Sequence, residues 1–217
     1  MTIRVFVADD HAIVRDGLRS LLAAQPDIEV VGDASNGRDA VREVSKVAPD
    51  VVIMDIAMPV LNGIEAARQV HEELPETKII FLSMHSTTEH IFRALQAGAR
   101  GYLLKESAGV QVVDAVRSVY ADRLYLSPSI SEKVIEGYIN HHETAEEKSP
   151  LDSLSPRERE ILQLVVEGKS SVEIAEILVL SPKTVETYRS RMMQKLGIND
   201  LPALVRFAIQ HSLTPLE

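Results

Sequence analysis

Hydrophobic positions along the first ~125 residues switch repeatedly between two periods. Short β-branched runs stand at Ile3–Val7, Glu29–Val31, Val51–Met54, Lys78–Leu82 and Gly101–Leu104. Helical spacing fills the gaps between them. Val14, Leu18, Leu21 and Leu22 fall on one helical face, and Val112, Val113, Val116, Val119 and Tyr120 fall on another. Strand–helix alternation repeated five times predicts βαβ units: a doubly wound, five-stranded parallel sheet with helices on both faces. Val51–Met54 and Ile79–Leu82 are apolar without alternation, as expected of strands buried on both faces.

The pattern changes after Leu124. Ser127-Pro128 is expected to open a short helix through Ile139. His141 to Pro150 has no apolar periodicity and reads as solvated linker. No strand pattern returns beyond it. The chain therefore divides into an α/β unit (1–125), a linker (126–150) and a small all-α unit (151–217). Ser155-Pro156-Arg157-Glu158 is a capping box with Pro at the first helical position, and Ser170-Ser171-Val172-Glu173 is a second box. Ser181-Pro182 opens another helix, and Gly168 and Gly197 sit where helices end. These signals predict helices near 156–167, 171–178, 182–196 and 200–211. Only Val179-Leu180-Ser181 separates the second from the third, which is helix-turn-helix spacing.

Composition narrows the chemistry. The 217 residues contain no cysteine, which excludes disulfides, thiolate zinc sites and a cysteine nucleophile. No stretch approaches ~18 consecutive apolar residues. The apolar run Ile3–Ala8 contains Arg4 and ends in Asp9-Asp10, unlike a secretory signal, so the expected location is cytoplasmic, without a membrane partner. The net charge of −9 argues at first against nucleic acid. Divided, it is −5 over residues 1–125, −3 over 126–150 and −1 over 151–217. Within Lys183–Lys195 four bases face one acid, so basic charge concentrates on one helix.

Ligands of an open parallel sheet bind at the carboxyl ends of its strands. Strand one ends in Asp9-Asp10, strand three in Asp55 and strand four in Ser83, and strand five is followed by Lys105. Three clustered carboxylates need a cation, and hard oxygen donors favour Mg²⁺ (or Mn²⁺) over zinc. A divalent cation beside a lysine is a place for phosphate, and one Asp can itself be the nucleophile. Singly, each residue has a plainer reading. Asp9 or Asp10 can cap a helix, Asn62-Gly63 can be a turn or cap, and Pro59 can simply fix a loop.

Together, Asp9-Asp10, Asp55 with Met58-Pro59, Asn62-Gly63, Ser83 and Gly101-Tyr102-Leu103-Leu104-Lys105 resemble the receiver domain of two-component response regulators, a flavodoxin-like fold. The resemblance implies that Asp55 accepts a phosphoryl group from a sensor histidine kinase. Asp10, Asp55 and the backbone carbonyl of Ala57 would ligate Mg²⁺, with Asp9 helping through water. Lys105 would pair with the phosphoryl oxygens, Ser83 would shift to bond them, and Tyr102 would turn inward as the switch aromatic, making Thr87–Tyr102 the bistable surface. No dedicated enzyme activity is implied beyond self-phosphorylation from a phosphodonor and slow autodephosphorylation.

The C-terminal motifs Leu154–Glu160, Glu173-Ile174-Ala175, Ser181–Thr187 and Lys195–Ile198 are similar to the LuxR-type helix-turn-helix. Receiver plus this module is the architecture of NarL/FixJ transcription regulators. Ser170-Ser171-Val172 departs from the Ser-Asn-Lys-like residues frequent there, and Tyr188 stands where His is frequent. On the third helix Val185, Tyr188, Met192 and Leu196 share the side expected to face the core. Lys183, Thr187, Ser190, Arg191 and Gln194 lie opposite, a polar and basic face suited to a major groove. Lys183 is placed near the groove floor, Thr187 and Ser190 are placed for base edges, and Thr184 is a further DNA-binding residue. Arg191 and Lys195 suit phosphates, and Arg189 suits phosphates or a bridge within the domain. The last helix carries Leu204, Val205 and Ala208, which serve either the core or, by resemblance, a homodimer on double-stranded promoter DNA. RNA polymerase is a further candidate partner.

Three other readings fit less well. An aspartyl phosphatase needs a second Asp two residues after its nucleophile, and Ala57 stands there. A sensor of a small apolar signal needs an aromatic pocket, whereas Trp is absent and aromatics are 4%. A regulator independent of phosphorylation would not need Asp9, Asp10, Asp55, Ser83 and Lys105 together. His141-His142 beside Glu143 reads as solvated sequence, and His11 and His85 as residues flanking the acidic rim.

Overall fold

The computed structural model describes residues 2–84, 87–141, 150–211 and 213. His85 and residues 142–149 of the expected linker, His142 and Glu143 among them, lie outside them, as do the side chains of residues 137–141. The N-terminal unit runs β1 (Ile3–Ala8), α1 (Ala12–Ala23), β2 (Ile28–Ala34), α2 (Gly37–Val47), β3 (Val51–Asp55), α3 (Gly63–Glu73), β4 (Lys78–Ser83), α4 (Thr88–Gln96), β5 (Ala99–Leu104) and α5 (Ala108–Tyr120).

With a further strand, β6 (Tyr125–Leu126), the strands form one parallel sheet in the order β2-β1-β3-β4-β5-β6. This sixth strand adds to the five expected from the sequence. Its edge pairing with β5 continues through the Ser127 amide, which donates to the Tyr102 carbonyl at 3.2 Å. The segment read as linker thus begins with this strand and with α6 (Pro128–His141), whose Ile130 is fully buried against the sheet.

Both sheet faces are covered. Phe6, Val52, Met54, Ile79 and Phe81 pack with α2, α3 and α4, whereas Val5, Val7, Ile53, Ile80 and Leu82 pack with Leu18, Leu22, Val112 and Val116 of α1 and α5. Successive residues of β3 and β4 therefore point into opposite cores, which explains their unbroken apolar runs. Each such side chain contributes roughly 1.5–3 kcal/mol when withdrawn from water. Leu21, expected on the buried face of α1, is 38% exposed because Leu18 and Leu22 already fill that face.

The C-terminal unit is all helical among the described residues: α7 (Pro156–Val166), α8 (Ser171–Leu178), α9 (Pro182–Leu196) and α10 (Leu201–Gln210). Both capping boxes form. The Ser155 hydroxyl accepts from the Glu158 amide while the Glu158 carboxylate accepts from the Ser155 amide at 2.7 Å, and Ser170 and Glu173 repeat the exchange. Gly197 ends α9 at φ 67°, a left-handed conformation that glycine adopts without penalty. Ile161, Leu162, Leu164, Ile174, Leu178, Val185, Met192, Leu204 and Ala208 make the core of this unit.

Candidate functional site

The order of strands reverses at β1, which lies between β2 and β3. The carboxyl ends of β1 and β3 are adjacent there, the place where open α/β sheets bind ligands. Asp9 and Asp10 follow β1 and Asp55 ends β3; Asp9 and Asp55 are buried and Asp10 is half-buried. Lys105, directly after β5, lies across them with Nζ 2.7 Å from Asp9 Oδ2 and 2.8 Å from Asp55 Oδ2. The sequence-predicted carboxylates and amine are therefore one cluster.

The Asn62-Gly63 pair acquires a physical role. The Asn62 side chain caps α3 by accepting from the Glu65 amide at 3.0 Å. A Cβ at position 63 would lie 1.9 Å from the Asp55 carbonyl oxygen, so only glycine lets α3 start against the backbone of Asp55. Asn62 thus has the capping role that its residue type alone suggested.

Burial pushes the Asp55 carboxyl up to about 6, with the charges of Asp9 and Asp10 acting in the same direction and Lys105 opposing them. Burial disfavours the charge on Lys105, yet contact with Asp55 and Asp9 outweighs it and holds the amine above its ordinary range. One ammonium among three carboxylates leaves a net negative pocket. Ligand atoms of Asp9, Asp10, His11 and Asp55 all lie within 4.8 Å of one another. This donor set fits a hard divalent cation, which would relieve the repulsion. His11, expected only to flank the rim, joins the group, with Nδ1 2.7 Å from Asp10 Oδ1 and 3.2 Å from Asp9 Oδ1. Its adjacency to the acidic pair was the signal in the sequence.

Ser83 ends β4 and is buried. Tyr102 on β5 is fully buried, hydrogen-bonded to Ser83, and its hydroxyl is pushed up to about 12 by that burial. The aromatic expected to turn inward is already inward in this structure, because its ring fills the core beside α4.

On α9, Val185 and Met192 are buried and Tyr188 and Leu196 half-buried, while Lys183, Thr187, Ser190, Arg191 and Gln194 are exposed. The two faces separate as the spacing requires. A shallow depression of about 340 Å³ lies along the outer face, lined by Ser181, Lys183, Thr184, Thr187, Tyr188 and Arg191. Arg189 instead donates to the Ser171 hydroxyl at 2.8 Å, and Lys195 pairs with Glu158 at 2.7 Å. In α10, Leu204 and Ala208 belong to the core, Val205 is half-buried, and Leu201 and Ile209 are exposed. Among the described residues no helix is long and apolar enough to cross a membrane.

A parallel sheet with an acidic, lysine-bridged switch point, joined to a helix-turn-helix with an open polar face, defines a two-domain regulator. The profile "Response regulator receiver domain" matches residues 5–117, and "Bacterial regulatory proteins, luxR family" matches residues 152–208. The oxygen regulatory protein NreC of Staphylococcus carnosus is 38% identical over 97% of this chain and 98% of its own length. The response regulator UvrY of Escherichia coli is 41% identical over 99% of this chain and 97% of its own length. The response regulator RcsB in its complex with DNA is a similar solved structure, with TM-score 0.60 and 27% identity over 99% of this chain and 100% of that one. The chain belongs to the two-component response regulators of the NarL/FixJ subfamily, a receiver domain followed by a LuxR-type helix-turn-helix domain.

Proposed function

We propose that this response regulator, a DNA-binding protein rather than a dedicated enzyme, takes a phosphoryl group on Asp55 from a histidine kinase and thereby gains affinity, as a homodimer, for promoter DNA. The single observation that carries the reading is Lys105 Nζ held 2.8 Å from Asp55 Oδ2 in a pocket shared with Asp9 and Asp10. A receiver domain implies a histidine kinase as partner, and a solved relative, RcsB, is bound to DNA.

Asp10, Asp55 and the Ala57 carbonyl would hold Mg²⁺ (or Mn²⁺), with Asp9 reached through water; when bound, the ion neutralises charge on the transferred group. The Asp55 carboxylate attacks phosphorus in line, and the bond from phosphorus to the kinase imidazole nitrogen breaks. Lys105, freed from its partner oxygen, pairs with the equatorial phosphoryl oxygens. The phosphoryl group adds about −1.5 to −2 charge at neutral pH. Its oxygens compete with Tyr102 for the Ser83 hydroxyl, so the bond between those two side chains is the first internal contact to change. α4 and β5 flank that contact and carry the change to the surface, Thr87–Tyr102. The acyl phosphate hydrolyses slowly, because Ala57 offers only a methyl group where a base would stand.

At the DNA, Lys183, Thr184, Thr187 and Ser190 meet base edges, Gln194 lies beside them, and Arg191 meets phosphates. Arg189 and Lys195 reach phosphates only after releasing Ser171 and Glu158. Exposed Leu201 and Ile209 of α10 are candidates for the dimer contact. Promoter affinity measured with and without a small phosphodonor tests the reading. Wild type should tighten and Asp55→Asn should not; equal tightening of both would sink it.

A further inference from the structure

One stripe of α7 is polar and buried, and it ends on the receiver. Arg159, Gln163 and Glu167 are spaced four apart and so lie one above another, Glu167 capping the helix end. The Arg159 guanidinium donates to Glu65 of α3 at 2.7 Å, with both side chains buried. Gln163 has no exposed surface and uses both ends of its amide. Its Oε1 accepts from the Asn62 backbone amide at 2.7 Å and from the Asn62 side chain at 3.1 Å. Its Nε2 donates to the Met58 carbonyl at 2.8 Å and to Glu167 at 2.8 Å. The Glu167 carboxylate accepts from the Val60 amide at 3.0 Å and 3.3 Å. The Val60 side chain packs on the core of the helical domain.

Every one of these loop contacts falls between Ala57 and α3. The loop they hold is strained. Val60, a β-branched residue, sits at φ 68°, and the Leu61 amide donates to the Pro59 carbonyl at 2.8 Å across a tight three-residue turn. Such a backbone persists only where its surroundings over-determine it. Here the receiver core buries Met58 and Leu61, while the bonds to the Met58 carbonyl and to the Val60 and Asn62 amides come from the other domain.

We propose that Gln163 and Glu167 are positioning residues for the phosphorylation pocket. They fix the loop that carries the Ala57 carbonyl, so docking of the helix-turn-helix domain raises the receiver's affinity for a divalent cation. The proposal rests on the reading of Asp10, Asp55 and the Ala57 carbonyl as the cation's ligands. By linkage, cation binding strengthens docking by the same factor. The arrangement is not a mask over the recognition helix, because Lys183, Thr187, Ser190, Arg191 and Gln194 stay exposed while α7 is docked.

The test titrates Mg²⁺ calorimetrically into the full chain and follows amide hydrogen exchange across residues 58–62. Wild type, Gln163→Ala, Glu167→Ala, Glu167→Gln and Asp55→Asn are compared. Glu167 is half-buried and outside the helical core, so its truncation leaves folding intact if Gln163→Ala does not fold. Gln163→Ala and Glu167→Ala should weaken Mg²⁺ binding about fivefold or more and lose protection at Val60 and Asn62, while Glu167→Gln, which keeps an acceptor oxygen, should stay within about twofold of wild type. Unchanged or tighter Mg²⁺ binding in the two alanine variants overturns the positioning role, as does a loss in Glu167→Gln equal to that in Glu167→Ala. Mg²⁺ binding that Asp55→Asn leaves untouched overturns the reading of the pocket itself, and the positioning role with it.

Discussion

Replacing Asp55 by Asn removes a carboxylate that the fold holds at a cost. Asp55 is 3% exposed, and burial together with Asp9 and Asp10 lifts its carboxyl from 3.8 to about 6 against the pull of Lys105. The native state thus holds this proton more tightly than the unfolded chain does. The penalty is absent below the unfolded value, grows as pH rises between the two values, and is constant above the native one. At about 1.36 kcal/mol per unit it reaches about 3 kcal/mol near pH 7.5 and about 1 kcal/mol near pH 4.5. Asn keeps the side-chain shape and an oxygen for Lys105 but carries no charge. Urea unfolding of the receiver transition in metal-free buffer should therefore show Asp55→Asn more stable than wild type at the higher pH. Roughly two-thirds of that gain should vanish at the lower pH. Saturating Mg²⁺ should then stabilise wild type and leave the variant unmoved. An Asn variant less stable than wild type near neutrality, or a gain identical at both pH values, would refute the reasoning.

Other outcomes follow from the same geometry. Arg159→Ala leaves the buried Glu65 carboxylate with only Arg68 at 4.0 Å, and urea unfolding should register a loss of about 3 kcal/mol. Val179 closes α8 at φ 54° with its side chain 90% exposed, so Val179→Gly should raise the stability of the helical domain by about 1 kcal/mol in thermal unfolding. Promoter affinity should fall steeply with salt, and Arg191→Ala should weaken all sequences alike and lower the salt slope by about one. Lys183→Ala and Thr187→Ala should instead alter sequence preference, by about 1–3 kcal/mol at the base concerned. Uniform losses for all three variants would overturn the division between base and phosphate contacts.

Local signals carried much of the fold. Ser155 with Glu158 and Ser170 with Glu173 announce helix starts because both halves of each capping exchange lie within one turn. The apolar runs of β3 and β4 announce two-sided burial because each residue faces one of two cores. Asp9, Asp10, Asp55 and Lys105 were legible as one site because a parallel sheet gathers its strand ends. What stayed hidden depended on partners far along the chain. β6 is two residues long and exists only through its pairing with β5, so it has no period of its own. Gln163 stands between Leu162 and Leu164 on a helix buried nearly all round, and its partners Met58 and Asn62 lie in the other domain. The polar stripe Arg159, Gln163, Glu167 was visible as a spacing, but nothing nearby in sequence says that a loop meets it. The position of Tyr102 was not legible, because the hydrogen bond with Ser83 and packing beside α4 decide it.

The central claim, that Asp55 is the phosphoryl acceptor, is tested most directly by intact-mass measurement after incubating the full chain with a small phosphodonor and Mg²⁺. The account expects one phosphoryl adduct on wild type, labile to both acid and base as an acyl phosphate is, and none on Asp55→Asn. An undiminished adduct on Asp55→Asn would contradict it.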